Sequence, residues 1–291
     1  MLINGVFSGG GLKGYALVGS LEVLEQKGYR FNRLIGTSAG AILASFIAVG
    51  YTAEEIEEML DELDPTIFLD ARKTLIQGSV FKWVQLYFRL GLYKGQELEN
   101  WFMEKLMAKN VYCFGDLPAG KLQLIASDLT NKRMLVLPDD LEDYGINQDR
   151  FPIAKALRMS CSIPYFFEPV KIKDKKGANV IVDGGILSNF PMWYFEEQKA
   201  VKVPTLGVKL SSSSEEKKRQ PIKNAIQLFE SLFSTMKDAH DDRYISRDYE
   251  KNVIFLPVES YSATDFHMDE ETKQALLQIG RLQTEKFLKF W

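Results

Sequence analysis

Short apolar runs that end on glycine-containing turns, each followed by helical apolar spacing, form the first part of the chain. The first run is Leu2 to Phe7, which the turn Ser8 to Gly11 interrupts, and apolar residues then recur at helical spacing from Ala16 to Gly28. A second run, Arg33 to Gly36, precedes a helix predicted from Ala39 to Val49. Strands and helices that alternate with such short turns predict a mainly parallel sheet with helices on its faces.

The rest of the chain keeps alternating between strand-length runs and helical patterns. Thr52 and Glu55 form a capping-box pair for a helix predicted to run to about Leu63. Further helices are predicted over residues 95–109, 152–159, 222–239 and 269–288, and further strands over 122–127, 134–137, 179–182, 205–210 and 253–256. No repeat or linker divides the chain, so we expect a core over residues 1–210. Residues 211–291 are expected to form a helical and strand extension packed on the same domain.

Composition and charge exclude several classes of protein. The chain has 291 residues and a formal net charge of −3, from 36 basic and 39 acidic side chains. Such a balance gives no electrostatic case for nucleic acid binding. Because the chain has no apolar run of membrane-spanning length and no basic region after Met1, we expect neither a transmembrane helix nor a signal peptide. Cys113 and Cys161 match no metal-binding or redox spacing, so a reduced, cytoplasmic protein is expected.

A glycine-rich loop, Gly9-Gly10-Gly11-Leu12-Lys13-Gly14, follows the first predicted strand and satisfies the pattern G-x-G-x-x-G. Consecutive glycines let backbone N–H groups converge on an anion at the start of a helix, because no Cβ blocks the approach. A dinucleotide site would also need an acidic residue about 20 positions later. That position is Leu34, and the strand continues through Ile35 to Ser38 without an acid. The loop therefore predicts an anion site for something other than a pyrophosphate.

The second motif is Gly36-Thr37-Ser38-Ala39-Gly40, which has the pattern G-x-S-x-G directly after the second predicted strand. This pattern places a serine on a sharp turn between a strand and a helix, where its hydroxyl is presented at the edge of the sheet. Because both motifs follow consecutive strands, we expect the two loops to open on the same edge, where ligands bind in α/β proteins.

A nucleophilic Ser38 needs a base, and the sequence offers four candidates, two histidines and two aspartates. His240 and His267 lie in polar surroundings typical of the surface, although the order serine, acid, histidine leaves a triad open. Asp183 closes an apolar strand and is followed by two glycines; as a base it must be desolvated or held very close to Ser38. Asp128 has a similar setting without the glycines and is the second choice among the acids.

Three motifs in this order resemble the patatin-like phospholipases. The resemblance covers about residues 2–191, and nothing after about Leu210 resembles the family clearly. It rests on Ser8 to Gly14, Gly36 to Gly40, the segment Ala156 to Phe167, and Asp183 to Gly185 followed by Asn189 and Pro191.

The resemblance implies a three-layer α/β/α fold and a serine–aspartate dyad that hydrolyses acyl esters of lipids without histidine, metal or cofactor. Ser38 would be the nucleophile and Asp183 its base. The amides of Gly9, Gly10 and Gly11 would form the oxyanion hole. The residues that support these motifs would be Lys13, Gly14, Gly36, Gly40, Gly184 and Gly185. The implied partners are an acyl-ester or lipid substrate and, transiently, a membrane surface.

Other interpretations stay open on the sequence alone. They are an α/β-hydrolase-type esterase with a serine–histidine–aspartate triad, a dinucleotide-binding protein, and a lipid-binding protein without catalysis. The aromatic stretch over residues 79–93 fits either core packing or a lipid-facing lid. The C-terminal segment, Phe287 to Trp291, is expected to dock on the domain.

Overall fold

The structure, a computed structural model, describes residues 1–71, 86–196, 203–211, 231–232, 235–236, 250–258, 261 and 268–291. Three of the predictions therefore lie outside the described residues. These are almost all of the helix over residues 222–239, both histidines (His240 and His267), and residues 79–85 of the aromatic stretch.

An eight-stranded mixed sheet forms the centre of the described chain. Across the sheet the strands lie in the order β10, β9, β1, β2, β4, β8, β7, with β5 also paired to β4. The five strands from β10 to β4 are parallel, whereas β5, β7 and β8 join through antiparallel pairs. A separate parallel pair is formed by β3 and β6. The strands are β1 Leu2–Phe7, β2 Arg30–Thr37, β3 Gly91–Tyr93, β4 Leu122–Asp128, β5 Arg133–Leu137, β6 Tyr165–Phe167, β7 Val170–Asp174, β8 Gly177–Asp183, β9 Thr205–Ser211 and β10 Val253–Pro257.

Six of the seven described helices correspond to predicted ones, the short helix over Trp193–Glu196 being the exception, and two of them begin at a side-chain cap. At the start of α3 the predicted capping box is present, since the Glu55 N–H donates to the Thr52 hydroxyl and the Thr52 N–H donates to the Glu55 carboxylate. Asp269 is the N-cap of α7, the last described helix, and its side chain accepts from the Thr272 N–H at 2.9 Å. The helices are α1 Tyr15–Gln26, α2 Ala39–Ala48, α3 Ala53–Asp61, α4 Gln96–Ala108, α5 Ile153–Ser160, α6 Trp193–Glu196 and α7 Glu270–Leu288.

Alternate residues of the central strands face the two sides of the sheet. Phe7 and Leu34 belong to the large core cluster, which takes in the buried faces of α1 to α5 and α7. Val6 and Ile35, their sequence neighbours, pack on the other side against residues 190–195, which include α6. Helices on both faces of a mainly parallel sheet give the three-layer α/β/α architecture that the resemblance implied.

The C-terminal elements are part of this architecture. Strand β10 is paired to β9, and α7 lies against α1 at points where glycine allows close contact. A Cβ on Gly19 would lie 2.1 Å from the Leu277 carbonyl oxygen, and one on Gly280 would lie 2.1 Å from that of Ala16. The Thr284 hydroxyl donates to Ser20 at 2.8 Å within the same contact. A side chain at either glycine would therefore separate the two helices.

The two aromatic segments, residues 79–93 and Phe287 to Trp291, differ in how far their rings are buried. Tyr87 and Phe88 are 78% and 72% exposed, so the described part of the 79–93 stretch does not supply these rings to the core. Trp291 docks as expected, since its indole N–H donates to Asn252 at 2.9 Å, whereas Phe290 is exposed. Within the described ranges, no helix combines the length and the apolar character needed to cross a bilayer.

Candidate active site

Ser38 occupies a strained turn between β2 and α2. Its backbone has φ 52° and ψ −119°, a left-handed φ that non-glycine residues rarely adopt. Such a conformation costs on the order of 1–3 kcal/mol and persists only where the surrounding structure enforces it. The side chain stands at the N-cap position of α2 and is 5% exposed. This is the strand–turn–helix setting that the G-x-S-x-G pattern predicted.

The glycines on both sides of Ser38 are required by close backbone contacts. A Cβ on Gly36 would lie 2.3 Å from the Gly40 carbonyl oxygen, and one on Gly40 would lie 2.2 Å from that of Phe7. Gly14 is less constrained, because its Cβ would meet the Ala39 Cβ at 3.2 Å. The turn therefore packs directly on the end of β1, from which the glycine-rich loop starts.

The glycine-rich loop lies against Ser38. A Cβ on Gly9 would be 3.3 Å from the Ser38 Cβ, and the Gly9 N–H donates to the Asn189 carbonyl oxygen at 3.0 Å. Gly10 is the N-cap of a 3₁₀ turn over Gly11–Gly14, and Gly11 has φ 59°. Amides at the start of a helical segment have no acceptor within it, so they can donate to an anion. Lys13 lies half-buried in the same turn.

Strand pairing brings Asp183 to the level of Ser38. Thr37 is paired with Ile125 across β2 and β4, and Ala126, the next residue of β4, is paired with Asp183 across β4 and β8. Since β8 is antiparallel to β4, Asp183 approaches this level from the opposite direction. Its side chain is 1% exposed and accepts from the Gly185 N–H at 2.7 Å.

The turn over Asp183, Gly184 and Gly185 packs directly against β4. A Cβ on Gly184 would lie 2.3 Å from the Ile125 carbonyl oxygen, so only glycine fits behind Asp183. Gly185 supplies the N–H that holds the Asp183 carboxylate. The two glycines that follow Asp183 in the sequence therefore have separate tasks.

Cys161 carries a buried thiol near both Ser38 and Asp183. Burial raises the pKa of Cys161, and the charge of Asp183 raises it further, while a hydrogen bond with the Ser38 side chain and the charge of Arg158 act in the opposite direction. The net direction is upward, so Cys161 stays a neutral thiol at neutral pH. A neutral, buried thiol does not act as a nucleophile.

Arg158 is a buried cation that the sequence interpretation did not single out. Its guanidinium donates to the carbonyl oxygens of Lys94, Gly95 and Glu168 at 2.7–2.8 Å and to the Ser162 hydroxyl. Burial lowers the pKa of Arg158 from its ordinary value, yet a guanidinium starts so high that it remains charged. The available signal was an arginine among the otherwise buried, mostly apolar residues of α5.

The other candidate bases have different positions. The Asp128 carboxylate accepts from the N–H groups of Thr130 and Asn131 at 2.8 and 3.0 Å, and from the Tyr144 hydroxyl at 2.5 Å. Burial raises the pKa of Asp128, but these hydrogen bonds outweigh it and lower the value below the ordinary one. Asp128 therefore has its acceptors occupied in the turn after β4.

In the ranges that the structure covers, no three His, Cys, Asp or Glu side chains are grouped as metal ligands.

Comparison with known proteins agrees with this architecture. The family model named patatin-like phospholipase matches residues 5–195. The "Uncharacterized protein YqhO" of Bacillus subtilis (strain 168) is 55% identical over 291 residues, covering 100% of this chain and 99% of the relative. The "cUMP-AMP-activated phospholipase" of Escherichia coli is 26% identical, over 69% of this chain and 62% of that protein. The crystal structure of VipD from Legionella pneumophila matches with a TM-score of 0.58 and 18% identity, over 99% of this chain and 67% of that one.

These matches establish the family and the fold. The family model covers well over half of the chain, so the protein belongs to the patatin-like phospholipase family. The likeness to VipD is below 25% identity and shows the fold alone. Membership of this family supports a lipid acyl hydrolase activity.

Proposed function

We propose that this protein hydrolyses carboxylic esters of phospholipids or other acyl lipids through a covalent acyl-serine at Ser38, with Asp183 as the base. The observation that carries the proposal is the convergence of three features at one level of the sheet. These are the strained turn that presents Ser38, the buried Asp183 carboxylate across β4, and the glycine-rich loop against the Ser38 side chain. A serine hydrolase needs a nucleophile, a base and an oxyanion hole in these relative positions.

In the first half of the reaction, the Ser38 Oγ attacks the ester carbonyl carbon and its proton passes to Asp183. The carbonyl oxygen becomes an oxyanion and is stabilised by the N–H groups of Gly10 and Gly11. Gly9 is left out of this role because its N–H already donates to Asn189. When the tetrahedral intermediate collapses, the carbon–oxygen bond to the alcohol breaks and Asp183 returns the proton to the leaving oxygen.

In the second half, water replaces the serine as nucleophile. Asp183 takes a proton from the water that attacks the acyl-serine carbonyl, and the same two amides stabilise the second oxyanion. Collapse breaks the bond to the Ser38 Oγ, which recovers its proton and releases the fatty acid. An aspartate exposed to water is a weak base, because hydration stabilises its ionised form. The 1% exposure of Asp183 removes most of that hydration.

The substrate class follows from the family and from the surface beside the site. Acyl lipids lie in membranes or micelles, so the enzyme must touch a lipid surface transiently. The exposed rings of Tyr87 and Phe88 support such contact, because surface aromatic rings favour the interface of a lipid layer. We propose lipid surfaces as the place where the substrate is met.

The direct test is incubation of the purified protein with phosphatidylcholine and phosphatidylglycerol vesicles, followed by mass spectrometry of the products. The proposal expects free fatty acid and lysophospholipid in equal amounts. The matched control is Ser38→Ala, which should release neither. Products that carry a cleaved phosphate ester, with intact acyl chains, would overturn the proposal.

The oxyanion role of the loop predicts the effect of a methyl group at Gly10. Gly10 has φ 176° and ψ 10°, outside the left-handed region, and a Cβ added there would lie 2.2 Å from the Leu210 Cδ1. Gly10→Ala should therefore crowd the loop against the half-buried Leu210 side chain and lower kcat by up to about 10²-fold, the scale of one lost oxyanion donor. The measurement is kcat with p-nitrophenyl acyl esters.

The same structure offers a rescue. Leu210→Ala removes the atom that the new methyl group would meet, so the double variant Gly10→Ala with Leu210→Ala should recover most of the lost kcat. Leu210→Ala alone should retain near-normal activity. Unchanged kcat in Gly10→Ala would show that the Leu210 side chain turns aside and would refute this prediction.

A further inference from the structure

The last residue of α5 and the two residues after it form a segment that contacts both members of the proposed dyad. The Ser38 backbone N–H donates to the Ser160 hydroxyl at 3.0 Å. The Asp183 backbone N–H donates to the Ser162 carbonyl oxygen at 2.9 Å. The segment Ser160 to Ser162 therefore spans the distance between nucleophile and base.

The Ser160 hydroxyl is buried and both accepts and donates a hydrogen bond. The residue is 0% exposed, and its hydroxyl accepts from Ser38 and donates to the Ile125 carbonyl oxygen at 2.6 Å. Ile125 is paired with Thr37 across β2 and β4, so the hydroxyl connects the turn of Ser38 back to the neighbouring strand. A buried N–H in a strained turn needs such an acceptor, because an unsatisfied donor favours rearrangement of the turn.

Arg158 fixes the segment Ser160 to Ser162 through a hydrogen bond to the Ser162 hydroxyl. Its guanidinium bonds the Ser162 hydroxyl, and the same group holds backbone carbonyls of residues 94, 95 and 168. A planar group with five donors fixes several segments at once, so the position of Ser162 relative to α4 and β6 is well determined. Because the Asp183 backbone N–H donates to the Ser162 carbonyl oxygen, the position of Ser162 also fixes that of the Asp183 backbone.

We propose that Ser160 is a positioning residue for the nucleophile. Its hydroxyl holds the Ser38 N–H in the left-handed turn, while the Ser162 carbonyl oxygen holds the Asp183 backbone. The inference rests on the proposed function, because it assigns Ser160 a task in the same reaction. Nothing in it requires Ser160 to touch the substrate.

Ser160→Ala tests this assignment, with kcat, KM and the number of reactive sites measured separately. A fluorophosphonate titrated to completion counts the chains whose Ser38 still reacts, and kcat with p-nitrophenyl butyrate is then expressed per titrated site. We expect one site per chain, KM within about 2-fold, and kcat per site lower by about 10- to 100-fold, since misplacement by about 1 Å can cost 10²-fold. Ser160→Cys, which retains a weak acceptor, should fall between Ser160→Ala and wild type.

Ser45→Ala is the matched control, because Ser45 is a serine of α2 that is 0% exposed and whose hydroxyl meets no hydrogen-bond partner among the described residues. It should retain wild-type kcat per site. A Ser160→Ala protein with fewer titrated sites but unchanged kcat per site would make the residue structural and overturn the proposal. Loss of folding in both Ser160 variants would do the same. A wild-type protein that neither reacts nor hydrolyses would instead refute the proposed function, and this inference with it.

Discussion

Replacing Asp183 with asparagine is expected to lower kcat by about 10³-fold or more, because the general base of a serine hydrolase is typically worth several orders of magnitude. The amide has no basic lone pair to accept the Ser38 proton. The substitution is otherwise mild: an asparagine Oδ1 can still accept the Gly185 N–H that now donates at 2.7 Å. The Asp183 backbone N–H keeps its bond to Ser162. Circular dichroism should therefore show an unchanged fold, and kcat with p-nitrophenyl esters measures the effect.

The same experiment separates a dyad from a triad. The double variant His240→Ala with His267→Ala removes both histidines of the chain and should keep most of the activity. Asp128→Asn is a second comparison, because the Asp128 carboxylate is already occupied by Thr130, Asn131 and Tyr144. If the histidine variant is as inactive as Asp183→Asn, a histidine is the base and the dyad is wrong.

Ser38→Ala is expected to reduce ester hydrolysis to near background, a loss of about 10³-fold or more. Neither Ser160 nor Cys161 can replace the hydroxyl, since the first is bonded on both sides and the second is a neutral, buried thiol. The alanine must still adopt φ 52°, so the strain at this turn remains.

Ser38→Gly is the informative partner of that variant. Glycine takes a left-handed φ without steric cost, so Ser38→Gly should be as inactive as Ser38→Ala but unfold at a higher temperature. This pair of results would show that the turn is strained in order to present the hydroxyl. Substantial activity in either variant would remove Ser38 from the role of nucleophile.

The parts of the site that sequence reasoning predicts are those that local backbone geometry determines. Gly36 and Gly40 leave room for carbonyl oxygens only 2.2–2.3 Å from where a Cβ would stand, and such requirements appear directly as a motif. The capping box of α3 is equally local and was correctly predicted from Thr52 and Glu55. The core strands were found because their apolar runs are buried.

Features that depend on distant pairing were missed. Strands β3, β6 and β7 were not predicted, because β3 and β6 have three residues each and β7 alternates exposed and buried positions at the edge of the sheet. The antiparallel approach of β8, which brings Asp183 to the level of Ser38, is a property of sheet topology. Likewise, the contacts of Arg158 and Ser160 join residues that are far apart in sequence, so no spacing reveals them.

The measurement that tests the central claim most directly is the location of a fluorophosphonate adduct. The wild-type protein should be labelled once, on the peptide that contains Ser38, and its ester hydrolysis should be lost in proportion to labelling. Labelling should be absent in Ser38→Ala and slow in Asp183→Asn, because the base activates the attacking oxygen. Hydrolysis that continues in a fully labelled protein, or an adduct on any residue other than Ser38, would contradict the account.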